Sequence, residues 1–245
     1  MPTFRHGKTT RVYFNQYDLS QYLNSVDIAQ KIDTGETTTF GASAKTYIPG
    51  LRDGTIKADG LFEAVSTDAV DVVLNTSVNG TGDDVLTIAP EGPTALRRCL
   101  LAMADATSYD VKAAVGDVVS VSAEYQVDGG VDGGYLYAAA QAVTTAATTN
   151  GTALDFGSAT TNGGVAHLHV TANTWSGATT VKVQSSSDNV TFTDLVTFTN
   201  VTASTLASQR VVVASGTTVN RYVRAQATTA AGTGSITYTV AFARR

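Results

Sequence analysis

His167 and His169 alternate with Leu168 in a run of β-forming residues, so both imidazoles point to one face of a strand, a spacing at which two side chains can share a metal ion. No cysteine or carboxylate cluster accompanies them and His6 lies far away in sequence, so they read as surface or interface histidines. Cys99 is the single cysteine. It can close no internal disulfide and build no Cys-based zinc site, and its neighbours mark it as a small core residue. Serine and aspartate are plentiful enough for a nucleophilic triad, but no Gly-x-Ser-x-Gly elbow singles one out. The run DGGVDGG at residues 128–134 lacks the Lys and Ser or Thr of a phosphate-cradling loop. Its two aspartates are a hint of calcium, yet a turn between two strands needs only the glycines' freedom at positive φ. NGTGDD at residues 79–84 reads as a turn by the same reasoning. Trp175 and Tyr109 are able to stack on a ligand, but single aromatics more commonly pack. These residues assign no catalytic role, no metal and no cofactor, and the chain is read as not an enzyme.

The elements that would position these residues are mostly strands. Hydrophobic residues make up 43% and charged residues 15% of the 245, with 22 glycines, the profile of short strands joined by tight turns. Residues 11–14 and 26–32 read as strands separated by a short helical piece around 19–23. Residues 34–54 form a long loop, too long for a tight hairpin and, with Phe40, Tyr47, Ile48, Pro49 and Leu51, too apolar for a solvated linker. A strand follows at 56–62. Residues 66–75 carry the clearest helical signature: Ser66 as cap, Asp68 in the first turn, and Val70, Val73 and Leu74 on one face. Strands are expected at 85–89 and 118–127, and residues 94–104 fit either a helix or a strand.

A composition shift at residues 139–152, AAQAVTTAATTNGT, predicts a boundary between a domain at 1–145 and one at 150–245, each able to fold alone. Beyond it, alternating segments at 165–170, 180–184, 192–198, 209–213, 221–227 and 235–242 predict a β-sandwich. Charge follows the same division. Residues 149–245 hold only Asp155, Asp188 and Asp194 against six of the 16 basic residues, so 18 of the 21 acids fall in the first 148 positions. An acidic first half is unsuited to gripping a phosphate backbone, and by itself it reads as ordinary surface charge for solubility. The N-terminus has no apolar core of a signal peptide, and no run approaches the roughly 18 apolar residues of a spanning helix, so a non-secreted, non-membrane protein is expected.

The first half resembles the major tail proteins of long-tailed bacteriophages over residues 5–145. The likeness rests on Asp18, Leu19 and Ser20 with Tyr22 and Leu23, on Asp33, Glu36, Thr37, Thr39, Phe40 and Gly41, on Ile48, Pro49, Gly50 and Leu51, and on Gly60 and Phe62. It implies a mainly β chain whose N-terminal tail-tube domain carries one short helix and closes, six copies at a time, into barrel-like rings. Those rings would stack into the tube that conducts DNA, with Phe40, Gly41, Tyr47, Ile48, Pro49, Gly50 and Leu51 in contacts between rings. It further implies assembly in the host cytoplasm into a virion tail, with tape measure, terminator and distal tail proteins as partners and DNA passing without specific binding. Asp59 and Glu124, whose neighbours face an apolar side, are the acids expected to line the lumen. The second half is similar to discoidin and other galactose-binding-like sandwiches, or to Ig-like ones, at Val181, Val183, Ser186, Asp188, Phe192, Leu195, Tyr222, Val223 and Arg224. That likeness concerns core positions and implies a decorating domain. The alternative function is a carbohydrate-binding or cell-surface adhesion module of two β-sandwiches.

Overall fold

The computed structural model describes residues 6–80 and 82–245. The chain is mainly β. In order it runs β1 (Arg11–Phe14), β2 (Tyr17–Asp18), β3 (Leu23–Glu36), β4 (Tyr47–Leu61), α1 (Val70–Asn79), β5 (Asp84–Ala89), β6 (Arg98–Lys112) and β7 (Ser120–Val143). It continues through β8 (Thr148–Asn150), β9 (Leu154–Asp155), β10 (Gly164–Asn173), β11 (Thr179–Ser186), β12 (Thr193–Thr197), β13 (Ala207–Val213), β14 (Tyr222–Thr229) and β15 (Ile236–Arg244). Two compact units result, and they are not the two halves of the sequence. One comprises Tyr22–Asp84 with Ala102–Val131; the other comprises the described residues up to Gln21, Val85–Leu101 and Asp132–Arg245.

The first of these, the arm unit, is an antiparallel sheet in the order β3, β4, β7, β6. Its register sets Ile28 opposite Ile56, Ala58 opposite Ala123 and Leu61 opposite Ser120. Because side chains alternate across a strand, Ile56, Ala58, Val121, Ala123, Tyr125 and Val127 all reach the buried face. Helix α1 buries the expected stripe of Val70, Val73 and Leu74, but it begins four residues later than the sequence suggests. Ala69 occupies the N-cap without a side-chain hydrogen bond, and Asp71, in the first turn, accepts from the Tyr109 hydroxyl at 2.5 Å. Residues 20–22 form a turn, so the short helix expected there is absent; Ser20 instead uses its hydroxyl to accept from the Val12 amide at 2.8 Å.

The other unit is a sandwich. One layer contains β13, β10, β15 and the end of β7; the facing sheet is β12, β11, β14 with β8 and β9 on the edge of β14. Between them Trp175, Val181, Val183, Phe198, Val223 and Ala225 pack with Leu168, Val170, Val240 and Phe242. All six strands expected in the second half are present. The expected boundary is not a structural one, however. β7 runs to Val143 and pairs with β15 from Tyr135 opposite Phe242 to Val143 opposite Ile236, and Tyr137, Ala138 and Val143 belong to the sandwich core. Alanine and threonine in this stretch resemble a linker by composition, yet they serve here as small strand residues whose backbone completes a sheet.

DGGVDGG is likewise not a turn. It passes through β7 without ending it, with Gly129 and Gly130 at φ 72° and 84° as a local irregularity. At Gly134 an added Cβ would lie 2.6 Å from the Phe242 carbonyl oxygen, so glycine is required by close backbone approach.

Candidate functional site

The expected loop at 34–54 is largely strand. β3 and β4 pair from Leu23 opposite Gly60 to Glu36 opposite Tyr47, leaving only residues 37–46 as the connection. Tyr47, Ile48, Pro49, Gly50 and Leu51 therefore lie on β4, while Phe40 and Gly41 occupy the tip. The sequence misses this hairpin because the period-2 signal is broken by Thr34, Gly35, Pro49 and Gly50. Gly50 is close to the facing strand, where an added Cβ would meet the Asp33 carbonyl oxygen at 3.1 Å. At the tip Gly41 takes φ 89°, and Ala42 donates its amide to the Thr39 carbonyl at 3.1 Å.

Every residue from 29 to 52 is exposed. That includes Ile32, Tyr47 and Ile48, each more than half exposed, Leu51 at 80% and Phe40 with no cover at all. The arm is held by its ladder and by two cross-strand polar contacts, Lys45 to Glu36 at 3.2 Å and the Thr37 and Thr46 hydroxyls at 3.1 Å, while Lys31 meets Asp33 of its own strand at 3.4 Å. Exposed ion pairs of this kind contribute little. A two-stranded ribbon is marginal in water without a further strand or an apolar face to cover, so the arm exposes apolar area in the isolated chain that a partner surface would remove from water.

Asp59 and Glu124 are on the outward face of the same sheet. Lys57, opposite Glu124 in register, places its Nζ 3.9 Å from both carboxylates, while the intervening Ala58 and Ala123 are buried. The structure thus brings the two acids to one face but gives them a shared cation that sequence reasoning did not include.

The remaining candidates are structural. His167 and His169 do share a face, but both are fully buried, which corrects the surface assignment. The Asn15 carbonyl can only accept, so His169 Nδ1, 2.6 Å away, carries the hydrogen. Its Nε2 then accepts from the Thr87 hydroxyl at 2.7 Å, and that oxygen accepts from His167 Nδ1 at 3.1 Å. Tyr13 stacks on His169 with ring centroids 5.6 Å apart. Burial holds His167 well below the ordinary imidazole value, assisted by His169 and Arg210, and lowers His169 to about 4 against the pull of the Asn15 carbonyl and Asp18. Both are neutral core groups, invisible to sequence because the Thr87 partner is 80 positions away.

Cys99 is buried and its thiol is pushed up by desolvation, away from reactivity. Trp175 is a core residue donating to the Ala230 carbonyl at 3.2 Å, and Tyr109 is tied to α1 through Asp71. Asp132 pairs with Arg245 through two contacts of 3.1 and 2.7 Å. Asp188 caps its own turn by accepting from the Val190 and Thr191 amides, which lowers it to about 2. Among the described residues no group of three or more His, Cys, Asp or Glu is placed to hold a metal ion, and no helix is long and apolar enough to cross a membrane.

No protein-family model matches this chain, and no curated protein does. Among solved structures it is similar to a protein of the virion of a native gene transfer agent particle, at 17% identity over 52% of this chain and 97% of that one, with a TM-score of 0.41. It is similar to the SPP1 tail tube protein at 11% identity over 52% of this chain and 77% of that one, TM-score 0.43. It is also similar to the SPP1 Dit protein of the hub adsorption apparatus, at 14% identity over 94% of this chain and 98% of that one, TM-score 0.36.

Proposed function

We propose that this chain is a structural virion protein of a long-tailed bacteriophage, polymerising into stacked rings, six copies to a ring, that form the tube for DNA ejection. The observation that carries the reading is the arm: 24 consecutive exposed residues, most of them paired as a ribbon, whose apolar side chains Phe40, Tyr47, Ile48 and Leu51 are left open to solvent by the described residues. A second feature supports it. Among the described residues β3 pairs only with β4, so within them its other edge has no strand partner along the 14 residues Leu23–Glu36. Such an edge is a template for another strand, and side-by-side pairing of copies around a closed ring removes it.

In that tube Asp59 and Glu124 would face the passing DNA. Carboxylates there repel phosphates, and Lys57 between them moderates the field, so the strand slides without specific binding. Tape measure, terminator and distal tail proteins are the proposed partners at the tube's ends, the virion tail is the proposed location, and assembly takes place in the host cytoplasm. Negative-stain microscopy of the purified protein tests the reading. Rings or tubes from the intact chain, and soluble folded particles without tubes when residues 37–46 are replaced by a two-residue turn, are the expected pair of results. A strictly monomeric intact protein with affinity for a glycan would favour an adhesion module instead.

A further inference from the structure

The sandwich unit contains a pocket of about 290 Å³, lined by β7 and β15 from one sheet, by β8 and β14 from the other, and by Pro93 and Ala95. All of these belong to one compact unit, so the pocket is present whether or not copies assemble. Its walls hold backbone strain. The β7 ladder shifts register between the pairs Gln141 with Tyr238 and Ala138 with Val240; there Ala140 takes φ 47° and donates its amide to the Thr239 hydroxyl at 3.0 Å. Leu96, beside Ala95, takes φ 62° and donates its amide to the Leu136 carbonyl at 2.6 Å. Among the described residues these two are the only aliphatic ones in the left-handed region, a costly conformation that clusters at sites holding ligands.

The polar groups of the lining have hydrogen-bonding capacity to spare. Tyr238 is buried, and its hydroxyl makes no hydrogen bond among the described residues. The Asn150 carboxamide oxygen accepts from Gln226 at 2.8 Å and the Gln141 amide donates to the Ala142 carbonyl at 3.1 Å, which leaves the Asn150 donors and the Gln141 oxygen unused among the described residues. Thr149 and Thr152 add two hydroxyls. No Lys, Arg, His, Asp or Glu lines the pocket, so an ion entering it would lose water without gaining a counter-charge.

We propose that this pocket binds a neutral sugar ring. A pyranose brings hydroxyls that both donate and accept, as the phenol, carboxamides and threonines require, together with C–H faces suited to the rings of Tyr137 and Tyr238, and no charge. At about 290 Å³ the pocket is at the small end of ligand clefts, which run to roughly 1,000 Å³, so it takes a single ring. None of the residues that carry the galactose-binding-like resemblance lines it.

The test uses the full chain and saturation-transfer difference NMR with D-glucose, D-galactose and N-acetyl-D-glucosamine, each compared with the charged relatives D-glucuronic acid and D-glucosamine. At least one neutral sugar should give a signal, and the charged relatives should bind about tenfold more weakly. Tyr238→Phe keeps the ring and removes a hydroxyl that holds nothing within the described chain, so it should retain the parent's melting temperature while weakening binding about tenfold. Gly151→Val adds atoms between the Ala225 and Tyr137 carbonyl oxygens, 3.2 and 3.3 Å from the new Cβ, and should abolish binding. No signal from any of the neutral sugars, parent affinity in Tyr238→Phe, or equal binding of the charged relatives would each overturn the assignment, and Tyr238→Phe decides it if Gly151→Val does not fold.

Discussion

The buried histidine chain makes a quantitative prediction about acid stability. In the unfolded chain an imidazole titrates near 6.5, and in the fold His169 is lowered to about 4. Folding therefore favours the neutral form. That contribution is complete above pH 6.5 and is lost as the pH falls from 6.5 towards 4, where it levels off. A difference of about 2.5 units at 1.36 kcal/mol each is about 3 kcal/mol, a substantial part of the 5–15 kcal/mol of a typical domain. His167, also lowered, adds loss of the same sign. The charged groups around the pair, Asp18 and Arg210, act in opposite directions on it. Asp155 and Asp188 are lowered to about 2 from 3.8 and Asp194 is lowered as well, so the contribution of these carboxylates is lost mainly below the histidine window, as the pH falls below about 4. Trp175 is the single tryptophan and is buried in the same unit as the histidines, so its fluorescence reports unfolding directly. Urea denaturation at steps between pH 7 and 4.5 should show the midpoint falling steadily below pH 6.5. The double variant His167→Gln, His169→Gln should begin less stable and show little slope in that interval. A wild-type midpoint constant from pH 7 to 5, or an unchanged slope in the double variant, would refute the assignment of neutral buried histidines.

Two further outcomes follow from the same packing. A fragment of residues 150–245 loses β7, one of the two strand partners of β15, and the core side chains Tyr137, Ala138 and Val143, so it should show a broad, non-cooperative thermal transition by calorimetry; a sharp cooperative one would mean the sandwich closes without β7. Replacing Asp59 and Glu124 by Lys should leave tube assembly and thermal stability close to wild type, since both side chains are solvated, but should slow genome release from the virion, measured by dye-accessible DNA after triggering; release at the normal rate would remove these acids from the proposed lumen.

Much of the architecture follows from local chemistry. Strand alternation at residues 118–127 and across the second half, the apolar stripe of α1, and the buried character of Cys99 depend on neighbours within a few positions, where period and propensity act directly. The exposed apolar set Phe40, Tyr47, Ile48 and Leu51 is also legible, as residues too hydrophobic for a solvated linker. What sequence does not determine is partnership at long range. Whether residues 34–54 form a loop or a ribbon depends on a cross-strand register in which Pro49 and Gly50 face Thr34 and Asp33, and no local signal encodes that pairing. The compact units interleave because β7, 24 residues long, continues through its glycines in place of turning, and composition cannot distinguish a glycine that bends the chain from one that admits a neighbouring backbone. His167 and His169 show the same division. Their common face is fixed by a spacing of two, but their burial is decided by Thr87 and Asn15, brought from 80 and 154 positions away, because satisfying a buried imidazole requires polar partners that only the tertiary fold supplies.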